Sequence, residues 1–150
     1  MNRYDENFLA DVMLGKLVRY MRMMGFDVEY ALDLDLEADP EIAEYAEENG
    51  RTVLTRDVEL SESTDSILLR TRGIEDQLHE LHETGYVLEL SEPGRCSVCN
   101  GVVEEPVEDL ETPDHAPEDQ RIWRCQDCGN LYWKGSHWDD VADTLSKIKD

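Results

Sequence analysis

The chain has 150 residues, 40% of them hydrophobic, which fits one domain or a domain with a small appendage and argues against a fully disordered chain. It contains no run of 18 or more apolar residues and no signal-peptide layout in its first residues, MNRYDEN, so we expect a cytoplasmic protein without a membrane-spanning helix. Its 36 acidic and 14 basic residues give a formal net charge of −22, which normally argues against nucleic-acid binding because phosphates are bound by lysine and arginine.

The first predicted elements are a strand over residues 8–10 and an amphipathic helix that begins at Val12. Apolar residues recur three or four positions apart in this helix and define its buried face: Leu14, Leu17, Val18, Met21 and Met24. Three cations fall outside that face: Lys16, Arg19 and Arg22. Asp11, between the two elements, has two open interpretations. It caps the helix, or its carboxylate faces the crevice in which an open α/β sheet binds ligands.

Strands and helices continue to alternate after this unit. We predict strands over residues 26–31, 52–55 and 66–70, with a last strand or a lead into the next unit at 86–90. One helix is predicted from Asp39 as N-cap to Asn49, a second helix covers residues 74–85, and a polar loop covers 58–65. This alternation with short connections predicts an α/β fold with a parallel sheet and helices on its faces.

The composition of the sequence changes near residue 92. Beyond it, proline, glycine, cysteine and tryptophan occur in place of the helical spacing of apolar residues. We therefore predict a first domain over residues 1–92 and a second, smaller one over 93–150. Within the second, residues 104–120 are acidic, contain proline and predict a mobile loop, and the last residues, DDVADTLSKIKD, predict a short terminal helix.

Four cysteines occur as two Cys-x-x-Cys pairs in the second domain: Cys96, Cys99, Cys125 and Cys128. Each pair places two thiolates on a tight turn, and two such turns supply the tetrahedral sulfur shell of a structural zinc site. Disulfide or redox use is the alternative, but a redox motif needs one pair at the start of a helix rather than two pairs. The pattern therefore favours a zinc ribbon whose metal is structural and not catalytic.

Three aspartates are predicted at one edge of the sheet. Asp11 and Asp57 follow strands and Asp39 starts a helix, and strand ends and helix starts share an edge in a parallel sheet. Carboxylates that converge there repel one another, and Mg²⁺ or Mn²⁺ offsets that cost. The alternative, in which each aspartate is a cap or a surface acid, stays open because acids are abundant in this chain.

Six segments of the chain resemble, in the same order, the Mut-seven C-terminal RNase domain family, a PIN-like group with an appended zinc ribbon. They are FLADVMLGKLVRYMRMMGFDV, the Asp-x-x-Ile-x-x-x-Ala start of the helix at Asp39, GRTVLTRD, CSVCN, CQDCG and LYWKGSHW. The resemblance implies a PIN-like fold and metal-dependent ribonuclease activity, with Asp11, Asp39 and Asp57 at the positions of the acidic motif residues. PIN nucleases usually have a fourth acid, for which Asp65, Asp35 and Glu44 compete.

On this interpretation the substrate is RNA, most simply a single strand. Lys16, Arg19 and Arg56 adjoin the predicted acidic site and are candidate phosphate contacts. Four aromatic residues of the ribbon either stack unpaired bases or cover its small core: Trp123, Tyr132, Trp133 and Trp138. The competing function is a non-catalytic module that binds RNA or protein through the ribbon.

The net charge does not exclude RNA, because acids spread along the whole chain resemble the surfaces of proteins from a salt-loaded cytoplasm. At molar salt the Debye length falls to about 3 Å, so distant acids hardly repel a polyanion. We therefore expect a halophilic acidic surface that tolerates a polyanionic substrate at high salt.

Overall fold

Four parallel strands form the central sheet of the computed structural model, which describes residues 7–86, 88–90, 94–104, 122–133 and 135–148. The strands are β1 (Asn7–Ala10), β2 (Asp27–Tyr30), β3 (Thr52–Thr55) and β4 (Ser66–Leu68). Their order in the sheet is β2-β1-β3-β4, and Phe8 of β1 lies opposite Val28 on one side and Thr52 on the other. This sheet confirms the predicted α/β class.

Side chains alternate along β1 and separate two hydrophobic cores. Phe8 and Ala10 point to one face of the sheet, and Leu9 points to the other. All three are fully buried, as expected for the strands of a parallel sheet that is covered on both faces.

Within the described ranges, five α-helices cover these two faces: α1 (Gly15–Met23), α2 (Asp39–Asn49), α3 (Val58–Ser63), α4 (Ile74–Thr84) and α5 (Ser136–Ile148). Helices α1, α4 and α5 pack on the face of Phe8, and α2 and α3 pack on the face of Leu9. The apolar residues predicted for the first helix are all buried, because their spacing puts them on the face toward the sheet. In the described part of the chain, no helix is long and apolar enough to cross a membrane.

The first predicted helix is interrupted near its start. Residues Val12–Leu14 form a short 3₁₀ helix, and the α-helix begins at Gly15. A Cβ atom on Gly15 would lie 3.0 Å from the hydroxyl oxygen of Tyr30, so glycine lets the start of α1 approach β2 closely. Tyr30 donates a hydrogen bond of 2.6 Å to the carbonyl of Val12 and thereby holds the 3₁₀ turn against the sheet.

Three other predicted boundaries differ from the structure. Asp39 is the first residue of α2 rather than its N-cap, which is Ala38. Residues 58–63 form α3 instead of a loop, because the Asp57 carboxylate accepts the first backbone N–H groups and Leu60 is buried against the sheet. No strand is formed by residues 86 and 88–90, while residue 87 lies outside the described ranges.

The cysteine module, residues 94–104 and 122–133, carries a three-stranded antiparallel sheet of β5 (Val103–Glu104), β6 (Trp123–Cys125) and β7 (Leu131–Tyr132). Its small core contains Cys96, Val103, Trp123 and Cys125. The predicted acidic loop over 104–120 lies outside the described residues except for Glu104, which ends β5.

Buried polar contacts join the cysteine module to the parallel sheet. Asn100 accepts a 3.0 Å hydrogen bond from the backbone N–H of Val28 and donates a 2.7 Å hydrogen bond to Asp27. Arg22, predicted to lie outside the buried face of its helix, is instead only 3% exposed. Its guanidinium donates to the carbonyl oxygens of Val28 and of Ser97, at 2.9 and 3.0 Å, so the module is fastened to both β2 and α1.

Helix α5 follows the cysteine module in sequence but packs on the larger body. Val141, Leu145 and Ile148 belong to the same core as Phe8, and Lys147 pairs with Glu75 at the start of α4. The division of the chain at residue 92 therefore stays a prediction, since part of the second predicted domain completes the core of the first.

Candidate active site and metal centre

The ends of β1 and β3 bring two of the three predicted aspartates to one edge of the sheet. Asp11 follows β1 directly, and Asp57 follows β3 after one intervening residue. The third, Asp39, lies in the first turn of α2 and is half-buried. We call Asp11, Asp39 and Asp57 the acidic cluster.

Asp11 is the buried member of the cluster, with 5% of its surface exposed. Its Oδ1 accepts a 2.7 Å hydrogen bond from the backbone N–H of Val12, which caps the 3₁₀ turn, and its Oδ2 accepts a 2.8 Å hydrogen bond from the Thr55 hydroxyl. A carboxylate has about four lone-pair directions, so both oxygens can still accept a further ligand. Asp11 therefore caps the 3₁₀ helix, and this capping leaves its carboxylate able to bind a ligand as well.

Thr55 connects Asp11 to Asp57. Its hydroxyl donates to Asp11 and accepts a 2.9 Å hydrogen bond from the backbone N–H of Asp57. Asp57 in turn uses Oδ1 to accept the backbone N–H of Glu59 at 2.9 Å at the start of α3. These three hydrogen bonds fix the position of Asp57 relative to Asp11.

Asp39 interacts with three other acids. Desolvation raises the pKa of Asp39, and the side-chain interaction with Asp57 and the negative charges of Asp57, Asp11 and Glu59 raise it further. Neighbouring carboxyl groups resist ionising together, and a bound cation offsets that cost. The donor set, carboxylate oxygens alone, suits a hard cation such as Mg²⁺ or Mn²⁺.

Glu59 is a fourth acid beside the cluster, and its charge acts on Asp39 together with those of Asp57 and Asp11. The sequence does not single out Glu59, because its pattern predicts a loop over residues 58–65, although Glu59 follows Asp57 by only two positions. The three acids proposed for this role lie elsewhere. Asp65 precedes β4 and so lies at the opposite edge of the sheet, and Asp35 and Glu44 are exposed with no described contact to the acidic cluster.

The four cysteines form a tighter group than the aspartates. In the described ranges, they are the one set of three or more possible metal ligands whose ligand atoms all lie within 4.8 Å of one another. Sγ of Cys96 lies 3.6 Å from that of Cys128, and Sγ of Cys99 lies 3.5 Å from that of Cys125. A tetrahedral zinc site with Zn–S bonds of about 2.3 Å has its sulfurs about 3.8 Å apart, whereas a disulfide needs about 2.05 Å. The geometry therefore fits zinc.

The thiols of this group have unequal affinities for protons. Burial raises the pKa of Cys96, but hydrogen bonds from Tyr132, from the backbone and from Cys128 lower it to about 7. Burial, opposed by a backbone hydrogen bond from Gly101 and aided by the contacts to the other three cysteines, raises the pKa of Cys99 to about 12. Four thiolates cannot form together at neutral pH without a compensating dication, which is the condition that zinc satisfies.

Comparison with known proteins adds one finding. The model of the Mut7-C RNAse domain family matches residues 6–145, nearly the whole chain. The chain belongs to the Mut7-C RNAse domain family. No curated protein and no solved structure matches it. The match spans the acidic cluster and all four cysteines.

The cations predicted to bind phosphate lie on α1 and in the connection between β3 and α3 of this Mut7-C domain. Lys16 and Arg19 are exposed on α1 and line a groove between α1 and α5. Arg56 lies between Thr55 and Asp57 and is half-buried. Its Nε atom is buried without a hydrogen-bond partner in the part of the chain that the structure describes.

Two further residues of the Mut7-C domain support the acidic cluster and were not singled out in the sequence. Thr55 joins Asp11 and Asp57, and Tyr30 holds the turn that follows Asp11. Burial raises the pKa of Tyr30, as do the charges of Asp33 and Asp11, while Arg19 opposes the shift. The only sequence signal for Thr55 is its position in LTRD, one of the segments that resemble the family.

Proposed function

We propose that this Mut7-C domain is a ribonuclease that hydrolyses single-stranded RNA in the cytoplasm with Mg²⁺ or Mn²⁺ held by Asp11, Asp39 and Asp57. The observation that carries the proposal is the Asp39–Asp57 carboxyl pair at the same edge as Asp11, with the pKa of Asp39 raised by its acidic neighbours. Acids kept only for solubility gain nothing from lying together at one edge of the sheet, where each makes the next harder to ionise.

The residues around the acidic cluster would have two roles, which are to orient the carboxylates and to bind the phosphates of the substrate. Thr55 and the N–H of Val12 orient the Asp11 carboxylate, and the first turn of α3 orients Asp57. A bound divalent cation supplies an activated water and positive charge to a phosphodiester. Because the attacking group would be this water, the chain needs no side-chain nucleophile. Lys16, Arg19 and the terminal nitrogens of Arg56 would contact the phosphates on either side.

Zinc in this proposal has a structural role. Cys96, Cys99, Cys125 and Cys128 would close its coordination shell, leaving no open position for a substrate. The module that they hold is fastened to Asp27 and Arg22 of the larger body, so the metal would stabilise both parts of the chain.

The test is cleavage of a labelled single-stranded RNA by purified protein in Mn²⁺ and, separately, Mg²⁺, at low and at molar salt. We expect Asp57→Asn and Asp11→Asn to lower the cleavage rate by at least about a hundredfold, since each removes a ligand charge at the reacting centre. Asp65→Asn is the matched control, because it removes the same charge at the opposite edge of the same sheet.

The non-catalytic alternative makes the opposite prediction. If the folded wild type leaves varied single-stranded RNAs intact in both metals, or if the two variants cut as fast as Asp65→Asn, the ribonuclease proposal is wrong. RNA binding without cleavage would then assign the chain a binding role.

A further inference from the structure

A cavity of about 250 Å³ lies between the cysteine module and the helices α1 and α5. Its walls are mainly aromatic and aliphatic side chains, and they come from three parts of the chain: Met23, Leu131, Tyr132, Trp133 and Trp138. Cavities for drug-sized ligands run from about 300 to 1,000 Å³, so this one is on the scale of a single ring system. Trp123, by contrast, is buried in the core of the module and does not line the cavity.

Trp133 follows β7 directly, and the turn after it restricts the position of its indole ring. The backbone N–H of Gly135 bonds to the carbonyl of Trp133 at 3.0 Å. A Cβ atom on Gly135 would lie 2.7 Å from Nε1 of Trp133, so only glycine leaves the indole where it is. A flat aromatic wall fixed by the backbone is preorganised to stack on a planar ligand, because little side-chain entropy is lost on binding.

Polar groups occupy one side of the same cavity. Arg95, Ser97 and Ser136 line it together with the aromatic residues. Arg95 is held by a 3.0 Å hydrogen bond to the carbonyl of Asn100 and lies 3.8 Å from Asp27. An anchored cation beside aromatic side chains complements a planar base joined to a phosphate, and it does not suit a purely apolar ligand.

The cavity and the acidic cluster lie at opposite ends of α1. Gly15 begins the helix next to Asp11, and Met23 ends it in the cavity, about 12 Å along the axis at 1.5 Å per residue. Lys16 and Arg19 lie between them in the groove against α5, spaced at helical intervals on the way to Met23. Asp140 also lines this groove and offsets part of the positive charge.

We propose that the cavity binds one unpaired base of an RNA strand whose scissile phosphate lies at the acidic cluster, with the intervening phosphates on Arg19 and Lys16. This inference rests on the proposed ribonuclease function and adds a base-binding site remote from the cut. Charge complementarity favours this occupant over a peptide. In a chain with 14 basic and 36 acidic residues, Lys16 and Arg19 line the groove along α1 and Arg95 lines the cavity at the end of the same helix.

The test measures RNA binding separately from cleavage. The full chain, purified with zinc, is titrated without Mg²⁺ or Mn²⁺ against a fluorescein-labelled oligouridylate of about 12 nucleotides and against an abasic strand of the same length. The variants are Trp138→Leu, Trp133→Leu and Arg19→Gln. Arg124→Gln is the control, because Arg124 is exposed on β6 of the same module and does not line the cavity. Zinc content and melting midpoint verify that each variant is folded.

We expect each tryptophan variant to weaken oligouridylate binding about tenfold or more and to leave binding of the abasic strand unchanged. Arg19→Gln should weaken both strands, because it contacts the phosphates, and Arg124→Gln should weaken neither. Oligouridylate affinity that is unchanged in both tryptophan variants would overturn the inference. An equal loss for both strands would overturn it as well.

The outcome of this binding experiment can be distinguished from the outcome of the cleavage test. If base-dependent binding at the tryptophans is found but no RNA is cut, the ribonuclease proposal alone is wrong. If RNA is cut and the tryptophan variants keep the wild-type KM, the base-binding site alone is wrong.

Discussion

The Thr55 hydroxyl lies 2.8 Å from Asp11 Oδ2 and connects the carboxyl ends of two neighbouring strands. Thr55 is fully buried and accepts the N–H of Asp57 with the same oxygen. A single hydroxyl therefore sets the distance between two of the aspartates to which we assign the metal.

Thr55→Val should separate this positioning role from ordinary stability. Loss of the hydroxyl leaves the N–H of Asp57 unpaired and frees Asp11, which should cost about 1–3 kcal/mol of unfolding free energy. If the cluster is catalytic, kcat for RNA cleavage should fall about ten- to a hundredfold while KM changes little. Thr55→Ser should restore kcat. Thr52→Val, in the same strand at the opposite edge, should leave kcat unchanged; an equal loss of kcat there would contradict the positioning role.

The raised pKa of Asp39 predicts an unusual dependence of the unfolding free energy on pH. Its pKa is raised in the folded chain, so its favourable contribution is complete below the ordinary pKa of an aspartate and is lost as the pH rises through the folded value. At neutral pH the Asp39–Asp57 pair is therefore a net cost, despite the favourable position of Asp39 in the first turn of α2. Asp39→Asn should melt at a higher temperature than wild type at pH 7, and the difference should close in acid.

Added Mn²⁺ provides the complementary measurement for this pair. Mn²⁺ at a hundred times its Kd should add about 2.7 kcal/mol to the unfolding free energy of the wild type and so raise its melting midpoint. The midpoint of Asp39→Asn should rise less. A lower midpoint for Asp39→Asn than for wild type at pH 7, in the absence of metal, would show that the pair is not strained by repulsion.

Asp27 should have the opposite pH dependence. Burial raises its pKa, but hydrogen bonds from Arg51 and Asn100 and the charges of Arg51 and Arg95 outweigh burial and lower it. Its stabilising contribution is therefore present above the ordinary pKa and is lost as the pH falls through the folded value. Asp27→Asn should lower the unfolding free energy by about 1–3 kcal/mol at pH 7 and by less at low pH, measured by urea denaturation. Glu62→Gln, an exposed change on α3, serves as the control and should have little effect.

Zinc removal should affect more than the cysteine module. Arg22 is buried, donates to the carbonyls of Ser97 and Val98 in the first Cys-x-x-Cys turn and is stabilised electrostatically by Cys96 and Cys99. When a chelator releases that turn, the buried guanidinium loses both kinds of partner. Hydrogen exchange should therefore accelerate at least about tenfold in α1 and β2 as well as in the module, while β3 and β4 stay protected.

Arg22→Met is the matched variant for this experiment. It removes the charge that depends on the zinc site, so chelation should then accelerate exchange in the module alone. Acceleration confined to the module in the wild type would contradict the coupling between the metal centre and α1.

Local patterns in the sequence predicted most of the helices and strands and the pairing of the cysteines. The helical spacing of Leu14, Leu17 and Met21 predicted the buried face of α1, because that face needs only local geometry. The two Cys-x-x-Cys pairs predicted a four-sulfur group for the same reason. Helix α3 was missed because its residues are mostly polar and its start depends on one capping carboxylate, that of Asp57.

The arrangement of the candidate site depends on contacts that no local pattern contains. Thr55 and Asp11 are 44 residues apart in sequence, and their hydrogen bond exists only because β1 and β3 are neighbours in the sheet. The burial of Arg22 has the same origin, since its partners in the cysteine module lie 75 and 76 residues further along the chain. The roles of Asp11, Asp39 and Asp57 as metal ligands stay a prediction.

The packing of α5 has a consequence for the order of events during synthesis. Val141, Leu145 and Ile148 complete the core around Phe8, although they emerge from the ribosome after every other element described. Domains generally fold from the N-terminus as they are made, but here the earlier half waits for the last helix. Until this helix docks, the core around Phe8 is incomplete and part of its apolar surface faces water. The face of the sheet that carries Phe8 therefore closes only when the last described element has been made.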